Sequence, residues 1–112
     1  MNVWVKNLNE VAVNMIIVTG SFIAKEAQLD TALALSLAHV QRSRLEDGCL
    51  MFSVNIDAEN SNRMVFLEEW RDMAALKTHF KVPECLAFAS HINELAESVA
   101  PLNIYEATVL SG

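Results

Sequence analysis

The sequence predicts a single α+β domain in which the elements follow the order β-α-β-β-α-β. The apolar residues alternate with a period of two in some segments and recur at helical spacing in others, and turn-forming residues separate these segments. The length of 112 residues fits one domain. Hydrophobic residues make up 53% of the chain and charged residues 20%, a composition that excludes a disordered protein. We predict a leader over residues 1–13 and the domain over residues 14–112.

The first half of the domain predicts a strand, a helix and a second strand. Residues Asn14 to Ala24 are rich in Ile, Val and Thr, which favours a strand. From Glu26 to about Glu46 the large apolar residues recur at helical spacing, at Leu29, Leu33, Leu37 and Val40. Asp47-Gly48 ends this helix. Residues Cys49 to Asp57 alternate again and predict the second strand.

The sequence of the second half predicts a strand that forms a hairpin with the second strand, then two helical segments and a last strand. A turn over residues 58–62 leads into a strand from Arg63 to Arg71. Asp72 is a suitable N-cap for a short helix that ends at Phe80. Pro83 begins a further helix and Leu102 to Leu110 forms the last strand. The buried stripe of that further helix is predicted to comprise Cys85, Phe88, Ala89, Ile92, Leu95, Ala96 and Val99.

This order is that of ferredoxin-like folds, in which helices cover one face of a four-stranded sheet. The other face is left bare unless a second molecule covers it. We expect that face to carry apolar side chains, namely Ile16, Val18, Phe22, Leu50, Phe52, Val54, Val65 and Leu67. An exposed apolar face of this size predicts a homodimer that is built sheet against sheet.

Charge and cysteine content exclude several classes of partner. Eight basic and fourteen acidic residues give a net charge of −6, and the basic residues are scattered along the chain, so we expect no nucleic-acid partner. No apolar run approaches the length of a membrane span, and the first thirteen residues lack the features of a signal peptide. Cys49 and Cys85 show no metal or redox spacing, which is typical of reduced thiols in a cytoplasmic protein.

The third strand carries the first candidates for chemistry. Period-two alternation places Met64, Phe66, Glu68 and Trp70 on one face of it, pointing beneath the helices. A carboxylate among apolar side chains is costly to bury, so Glu68 is a candidate acid or base with a raised pKa. The alternative is a carboxylate at a strand end that binds Arg71 or backbone amides. Trp70 is equally consistent with a purely structural core residue.

Histidines supply the other candidates. His79 lies just before the break at Pro83, where the end of a helix can present it to a cavity as a general base, and a capping or surface role is the alternative. His39 lies on the flank of its helix, where it is expected to be half-exposed. Neither His39 nor His79 has a second His or a carboxylate three or four residues away on the same helix, which argues against a metal site at these two residues. Motifs for nucleotides and for redox dithiols are absent, which predicts an activity without a cofactor.

Three segments together resemble the antibiotic biosynthesis monooxygenase family, including its quinol monooxygenase-like members. They are Glu46-Asp47-Gly48-Cys49-Leu50, the strand from Arg63 to Trp70, and Ala75-Leu76 with His79. The likeness extends from Asn14 to Leu110 and includes the order of the elements.

The resemblance implies a dimeric α/β barrel with a pocket between each sheet and its own helices. It also implies that a small aromatic quinol or phenol is oxidised by O2 without metal or flavin. On this basis His79 is the base or proton shuttle, and Glu68 orients it or binds a substrate hydroxyl. The substrate-binding candidates are Trp70 as a stacking wall, Thr19 and Asn55 as contacts to oxygen, His39 and Phe66.

There are three alternatives to this activity, of which the first two come from related branches. The haem-degrading branch uses an Asn on the first strand and a His in the last helix, and Thr19 and Ala89 stand there instead, which disfavours haem oxygenation. A second branch isomerises a small phosphorylated signalling molecule, for which the sequence lacks a cluster of basic residues. The third alternative is a dimeric protein that binds a ligand without turning it over.

Overall fold

The computed structural model describes residues 13–110, which form five strands and three α-helices. The predicted leader lies outside the described residues, apart from Val13, with which the first strand begins. A 3-10 turn, Glu26–Gln28, precedes the first helix. In chain order the elements are β1 (Val13–Ala24), α1 (Leu29–Ser43), β2 (Cys49–Asp57), β3 (Asn60–Trp70), α2 (Met73–Lys81), α3 (Pro83–Leu95), β4 (Ala96–Val99) and β5 (Asn103–Val109).

The strands form one antiparallel sheet in the ferredoxin-like order, so the predicted fold class is confirmed. β1 and β3 are central, β2 pairs with the free side of β3, and both β4 and β5 pair with the other side of β1. β5 corresponds to the predicted last strand, Leu102 to Leu110, whereas β4 is an additional strand that precedes Pro101. Between the two strands the Ala100 amide donates to the Ser21 carbonyl at 2.9 Å. The sheet of one chain is open and does not close into a barrel.

The prediction that the last helix continues to Val99 is wrong. The helix ends at Leu95, and the chain then pairs with β1, with Ala96 opposite Ala24 and Val99 opposite Phe22. The Lys25 amide donates to the Leu95 carbonyl at 2.9 Å, which joins the helix end to the end of β1. Apolar residues at this point serve helix and strand equally well, so periodicity alone does not mark the boundary.

The predicted assignment of the sheet faces is wrong for β1 and β2. Ile16, Val18, Phe22 and Phe52 are buried on the side of the sheet that the helices cover. The register shows this directly. Glu68 points to the helix-covered face, and its cross-strand neighbours, Val18 on β1 and Phe52 on β2, point to the same face. Val54 pairs with Phe66 and also faces the helices. The outer face instead carries half-buried residues, namely Ile17, Thr19, Ile23, Met51, Val65 and Leu67.

Helix α1 presents a different face to the sheet from the one predicted. Its fully buried residues are Ala32, Ser36, His39, Val40 and Ser43, whereas Leu37 is 44% exposed. Small Ala and Ser side chains let the helix approach the sheet closely, and the Ser36 hydroxyl lies 3.9 Å from the Met64 sulfur. His39 is thereby turned toward the sheet. Within residues 13–110, no helix is both long enough and apolar enough to cross a membrane.

Candidate functional site

A cavity of about 330 Å³ lies between the sheet and the helices. Its wall is mostly apolar and is rich in aromatic rings, supplied by Phe22, Phe52, Phe66, Phe80 and Phe88. Four side chains in the wall are capable of acid–base or ligand chemistry, namely His39, Glu68, His79 and Cys85. A few polar groups in an apolar cavity are typical of a site for a small molecule.

His79 is held in position by a carboxylate from a distant part of the chain. It lies on the buried face of α2, which begins where the Asp72 side chain accepts a hydrogen bond from the Ala75 amide at 2.8 Å. The ring is 2% exposed, and Nδ1 lies 3.0 and 3.1 Å from the two Glu46 carboxylate oxygens. Since an ionised carboxylate only accepts, Nδ1 carries a proton, and in the neutral form of the ring the lone pair is on Nε2. Nε2 lies 3.6 Å from the Cys85 sulfur.

The loop after α1 delivers Glu46 to this histidine. The Glu46 amide donates to the Ser43 carbonyl at 3.1 Å, which continues the turn of the helix end. Gly48 then adopts a positive φ of 85°, a conformation that favours glycine. Its carbonyl accepts a hydrogen bond from the Arg71 amide at 2.8 Å, which fixes the loop against the end of β3.

Glu68 is the second buried acid–base group. Its side chain is 5% exposed and accepts a hydrogen bond of 2.8 Å from Trp70 Nε1. Burial raises the pKa of Glu68 to about 7, the hydrogen bond from Trp70 opposes that rise, and the negative charge of Glu46 adds to it. The alternative partner, Arg71, binds Asp47 and Asp72 instead. Glu68 therefore exchanges a proton near neutral pH.

His39 is buried and neutral, and the expectation of a half-exposed flank position is wrong. The ring is 4% exposed and stacks on Phe88 with centroids 4.1 Å apart and planes 5° apart. Burial lowers the pKa of His39 to about 3, with further contributions from the charges of Arg42 and His79. The Arg42 guanidinium donates to His39 Nδ1.

The structure brings together only some of the predicted site residues. His39, Phe66, Glu68 and His79 all line the cavity. Trp70 lies fully buried beneath it, with its ring centroid 4.7 Å from that of His79, so it supports the site and does not form a substrate-stacking wall.

Thr19 and Asn55 lie on the opposite face of the sheet, so the prediction that they contact substrate in this cavity is wrong. Thr19 pairs with Leu67 and Asn55 with Val65, both on the outer face. The error has the same cause as the exchanged faces of β1 and β2. Asn55 donates instead to the Ser53 hydroxyl at 3.0 Å.

Glu46 and Cys85 were not predicted as site residues. Glu46 and His79 are 33 positions apart and on different elements, so no local spacing connects them. Cys85 is part of the predicted buried stripe of its helix. That pattern places it in the core but does not show that it lies beside His79. His39, His79 and Cys85 each offer a ligand atom, and these atoms lie within 4.8 Å of one another. The three residues come from three different helices, so a search for ligand spacing within a single helix does not find the cluster.

Comparison with known proteins identifies the family. The sequence pattern of the antibiotic biosynthesis monooxygenase family matches residues 15–90, which include His39, Glu46, Glu68, His79 and Cys85. The chain belongs to this family. An uncharacterized protein of Synechocystis is 33% identical over 91 residues, which cover 81% of this chain. The match spans 62% of the length of that relative.

Several solved structures share the fold. A protein from Mycobacterium tuberculosis is 25% identical and superposes with a TM-score of 0.75, covering 81% of this chain and 92% of that one. A structure described as an antibiotic biosynthesis monooxygenase is 26% identical with a TM-score of 0.73, covering 83% of this chain and 96% of that one. These likenesses support the open antiparallel sheet with helices on one face.

Proposed function

We propose that this protein is a monooxygenase that oxidises a small aromatic quinol or phenol with O2 and needs neither metal nor flavin. The observation that carries the proposal is that His79, which lines the aromatic cavity, is bound through Nδ1 to the Glu46 carboxylate at 3.0 Å, so that Nε2 of the neutral ring is left as the acceptor. An imidazole oriented by a carboxylate is a common arrangement for a general base.

The reaction begins with removal of a proton from the substrate hydroxyl by His79 Nε2. The resulting phenolate is electron-rich enough to give one electron to O2, and the two radicals then combine as a carbon-bound peroxide. The imidazolium of His79 returns its proton to the peroxide, and the neutral ring then removes the hydrogen of the same ring carbon as a proton. The electron pair of that C–H bond forms the carbonyl as the O–O bond breaks, and the distal oxygen leaves as water. For a quinol the balance is quinol plus O2 giving hydroxyquinone plus water, with all four electrons supplied by the substrate.

Glu68 is suited to donate the proton with which the distal peroxide oxygen leaves as water. Near neutral pH part of the population holds a proton on its carboxyl group, because burial raises its pKa to about 7. In that form it donates to the distal peroxide oxygen, which leaves as water. The apolar wall keeps bulk water away from the radical pair and the peroxide.

The wall of the cavity favours an uncharged aromatic substrate. Phenylalanine rings line it, and none of the residues described in its wall is a lysine or an arginine. A phosphorylated substrate needs cationic partners, so the arrangement disfavours the isomerase alternative. Two half-buried thiols, Cys49 and Cys85, are free, which is consistent with our proposal of a cytoplasmic location.

We also propose that two copies pack sheet against sheet. The outer face combines half-buried Ile17, Val65 and Leu67 with polar Ser53 and Glu69, a mixture that a partner sheet can cover. The homodimer places one cavity on each side of the interface, since each cavity lies between a sheet and its own helices.

Oxygen uptake by metal-stripped protein with a panel of hydroquinones and anthrone-like phenols tests the proposal. We expect uptake above the autoxidation rate, and its loss in His79→Ala and Glu68→Ala while the oligomeric state is unchanged. His91 is exposed on α3, so His91→Ala is the control that should keep the wild-type rate. Unchanged uptake in both His79→Ala and Glu68→Ala would contradict the assignment of these roles.

A further inference from the structure

We propose that His39, His79 and Cys85 form a binding site for a borderline-soft divalent metal ion of the Zn²⁺ class, and that such an ion inhibits the proposed oxidation. The three side chains converge from α1, α2 and α3, and their ligand atoms lie within 4.8 Å of one another. Two imidazoles and one thiolate are ligands that Zn²⁺ and Co²⁺ prefer over the oxygen-seeking ions Mg²⁺ and Ca²⁺.

The geometry between His79 and Cys85 is already suitable for an ion. Zinc lies about 2.0–2.1 Å from nitrogen and about 2.3 Å from sulfur, so tetrahedral ligands of these two kinds are about 3.6 Å apart. The Nε2 atom of His79 lies 3.6 Å from the Cys85 sulfur. The ligand atom of His39 lies within 4.8 Å of the other two, and coordination of one ion by all three requires it to move closer to them.

Glu46 supplies the outer support that a zinc-bound histidine requires. Its carboxylate accepts from His79 Nδ1 at 3.0 Å, which fixes the ring with Nε2 directed toward Cys85. A carboxylate bound to the remote nitrogen of a ligating histidine is a recurrent feature of zinc sites. The site is otherwise surrounded by aromatic rings, including Phe52 and Phe88, which line the same cavity.

The charges around the cluster are mixed. Glu46 contributes negative charge, as does Glu68 above its raised pKa of about 7, while the Arg42 guanidinium donates to His39 Nδ1 and opposes a cation. If the ion binds Nε2 of His39, the ring proton must be on Nδ1. Nδ1 then no longer accepts a hydrogen bond, and the Arg42 guanidinium must release it. The ion also displaces the thiol proton of Cys85, since the thiolate is the ligand.

Metal and substrate compete for the same atom. The proposed oxidation uses the lone pair of His79 Nε2 to accept a proton, and a bound cation occupies that lone pair. We therefore expect Zn²⁺ to inhibit oxygen uptake and a chelator to restore it.

Titration with Co²⁺ tests the site without depending on activity. Metal-stripped protein should show a thiolate-to-cobalt charge-transfer absorption in the near ultraviolet that saturates at one equivalent. The absorption should disappear in Cys85→Ser and remain in Cys49→Ser, since Cys49 is a half-buried thiol outside the cluster. His39→Gln should weaken Co²⁺ binding at least tenfold, and His91→Gln should leave it unchanged, with circular dichroism confirming that each variant is folded.

Absence of the absorption at a tenfold excess of Co²⁺ would overturn the proposal, as would its loss in Cys49→Ser and retention in Cys85→Ser. These results do not depend on the proposed function, which is tested by oxygen uptake of the metal-stripped protein. Failure of the oxidation with an intact cobalt spectrum rejects the monooxygenase and keeps the metal site, and the reverse result rejects the metal site alone.

Discussion

Glu68 and His39 are buried in one cavity, and their pKa values move in opposite directions along the pH scale. Folding raises the pKa of Glu68 from 4.5 to about 7, and it lowers the pKa of His39 from 6.5 to about 3. Each group is therefore held neutral in the folded protein over a range in which the unfolded chain ionises it. Burial among aromatic rings is the dominant cause for both residues.

The two shifts predict opposing contributions to the pH dependence of stability. Between about pH 4.5 and 7 the folded state holds the Glu68 proton that the unfolded state releases, so this residue makes the free energy of unfolding fall as pH rises. Between about pH 3 and 6.5 the unfolded state binds a proton at His39 that the folded state lacks. His39 therefore makes the free energy of unfolding rise as pH rises. From pH 4.5 to 6.5 the two slopes, each about 1.4 kcal/mol per pH unit, cancel.

Urea denaturation of metal-free protein from pH 4 to 8 checks this prediction. Relative to wild type, Glu68→Gln should show a free energy of unfolding that rises with pH between 4.5 and 6.5, and His39→Gln should show one that falls. Parallel curves for wild type and both variants would mean that neither pKa is shifted by folding.

Glu46 is a positioning residue, because it acts on the substrate through His79. Glu46→Gln keeps a carbonyl that accepts from His79 Nδ1 but removes the negative charge, so we expect kcat to fall tenfold or more and KM to change little. Glu46→Ala also removes the hydrogen bond and should lower kcat further. Steady-state oxygen uptake measures both constants, and Glu69→Gln, on the outer face of β3, is the control. A change confined to KM would indicate a role in substrate binding.

At the residue scale, the sequence predicts the cavity residues whose strand or helix position is unambiguous. Glu68 and Phe66 follow from the alternation of β3, and His79 follows from its place before Pro83. The roles of Thr19 and Asn55 come from the family resemblance, and the sequence pattern does not test them, because both alternating sets of β1 and β2 contain large apolar residues and leave the choice of face open. Glu46 and Cys85 depend on contacts between distant elements, which single-sequence patterns do not contain.

At the scale of elements, the loop between α1 and β2 determines where Glu46 stands. A Cβ atom at Gly48 would lie 2.5 Å from the Ala75 Cβ on α2, and the residue has a φ of 85°. The loop and the helix that carries His79 are therefore packed with no space for a side chain.

Gly48→Ala should destabilise the fold by about 1–2 kcal/mol through the positive φ alone, and the contact with Ala75 adds to that loss. Gly20→Ala is the matched control, since its Cβ would meet only the flexible end of Leu102, at 2.6 Å. Urea denaturation midpoints measure both changes. Equal losses in the two variants would show that the backbone conformation of Gly48 is not required.

The predicted boundaries are accurate where the pattern changes sharply. β2 was predicted as Cys49 to Asp57, its observed range, because its alternation is bounded by Gly48 and a polar turn. Asp72 caps α2 as predicted. The end of α3 was misplaced because Ala96 and Val99 continue its apolar spacing, and only pairing with β1 makes them a strand.

For the molecule as a whole, the open sheet has an outer face that its own helices do not cover, and we propose that a second copy covers it. We expect light scattering after size-exclusion chromatography to give the mass of a dimer for the wild type. Leu67→Glu, near the centre of the outer face, should give a monomer, because two carboxylates would be buried at the interface. Leu45→Glu, at an exposed position of the loop after α1, should remain dimeric. A wild-type monomer would contradict the packing of sheet against sheet.

We propose that the Glu46–His79 pair and Glu68 support insertion of one oxygen atom from O2 into an aromatic substrate. Turnover of a quinol under isotopically labelled O2, with metal-stripped protein and mass spectrometry of the product, shows where the inserted oxygen comes from. We predict one labelled oxygen atom in each hydroxyquinone molecule and none when only the water is labelled, with formation lost in His79→Ala. A product without label from O2, or hydrogen peroxide in place of water, would contradict it.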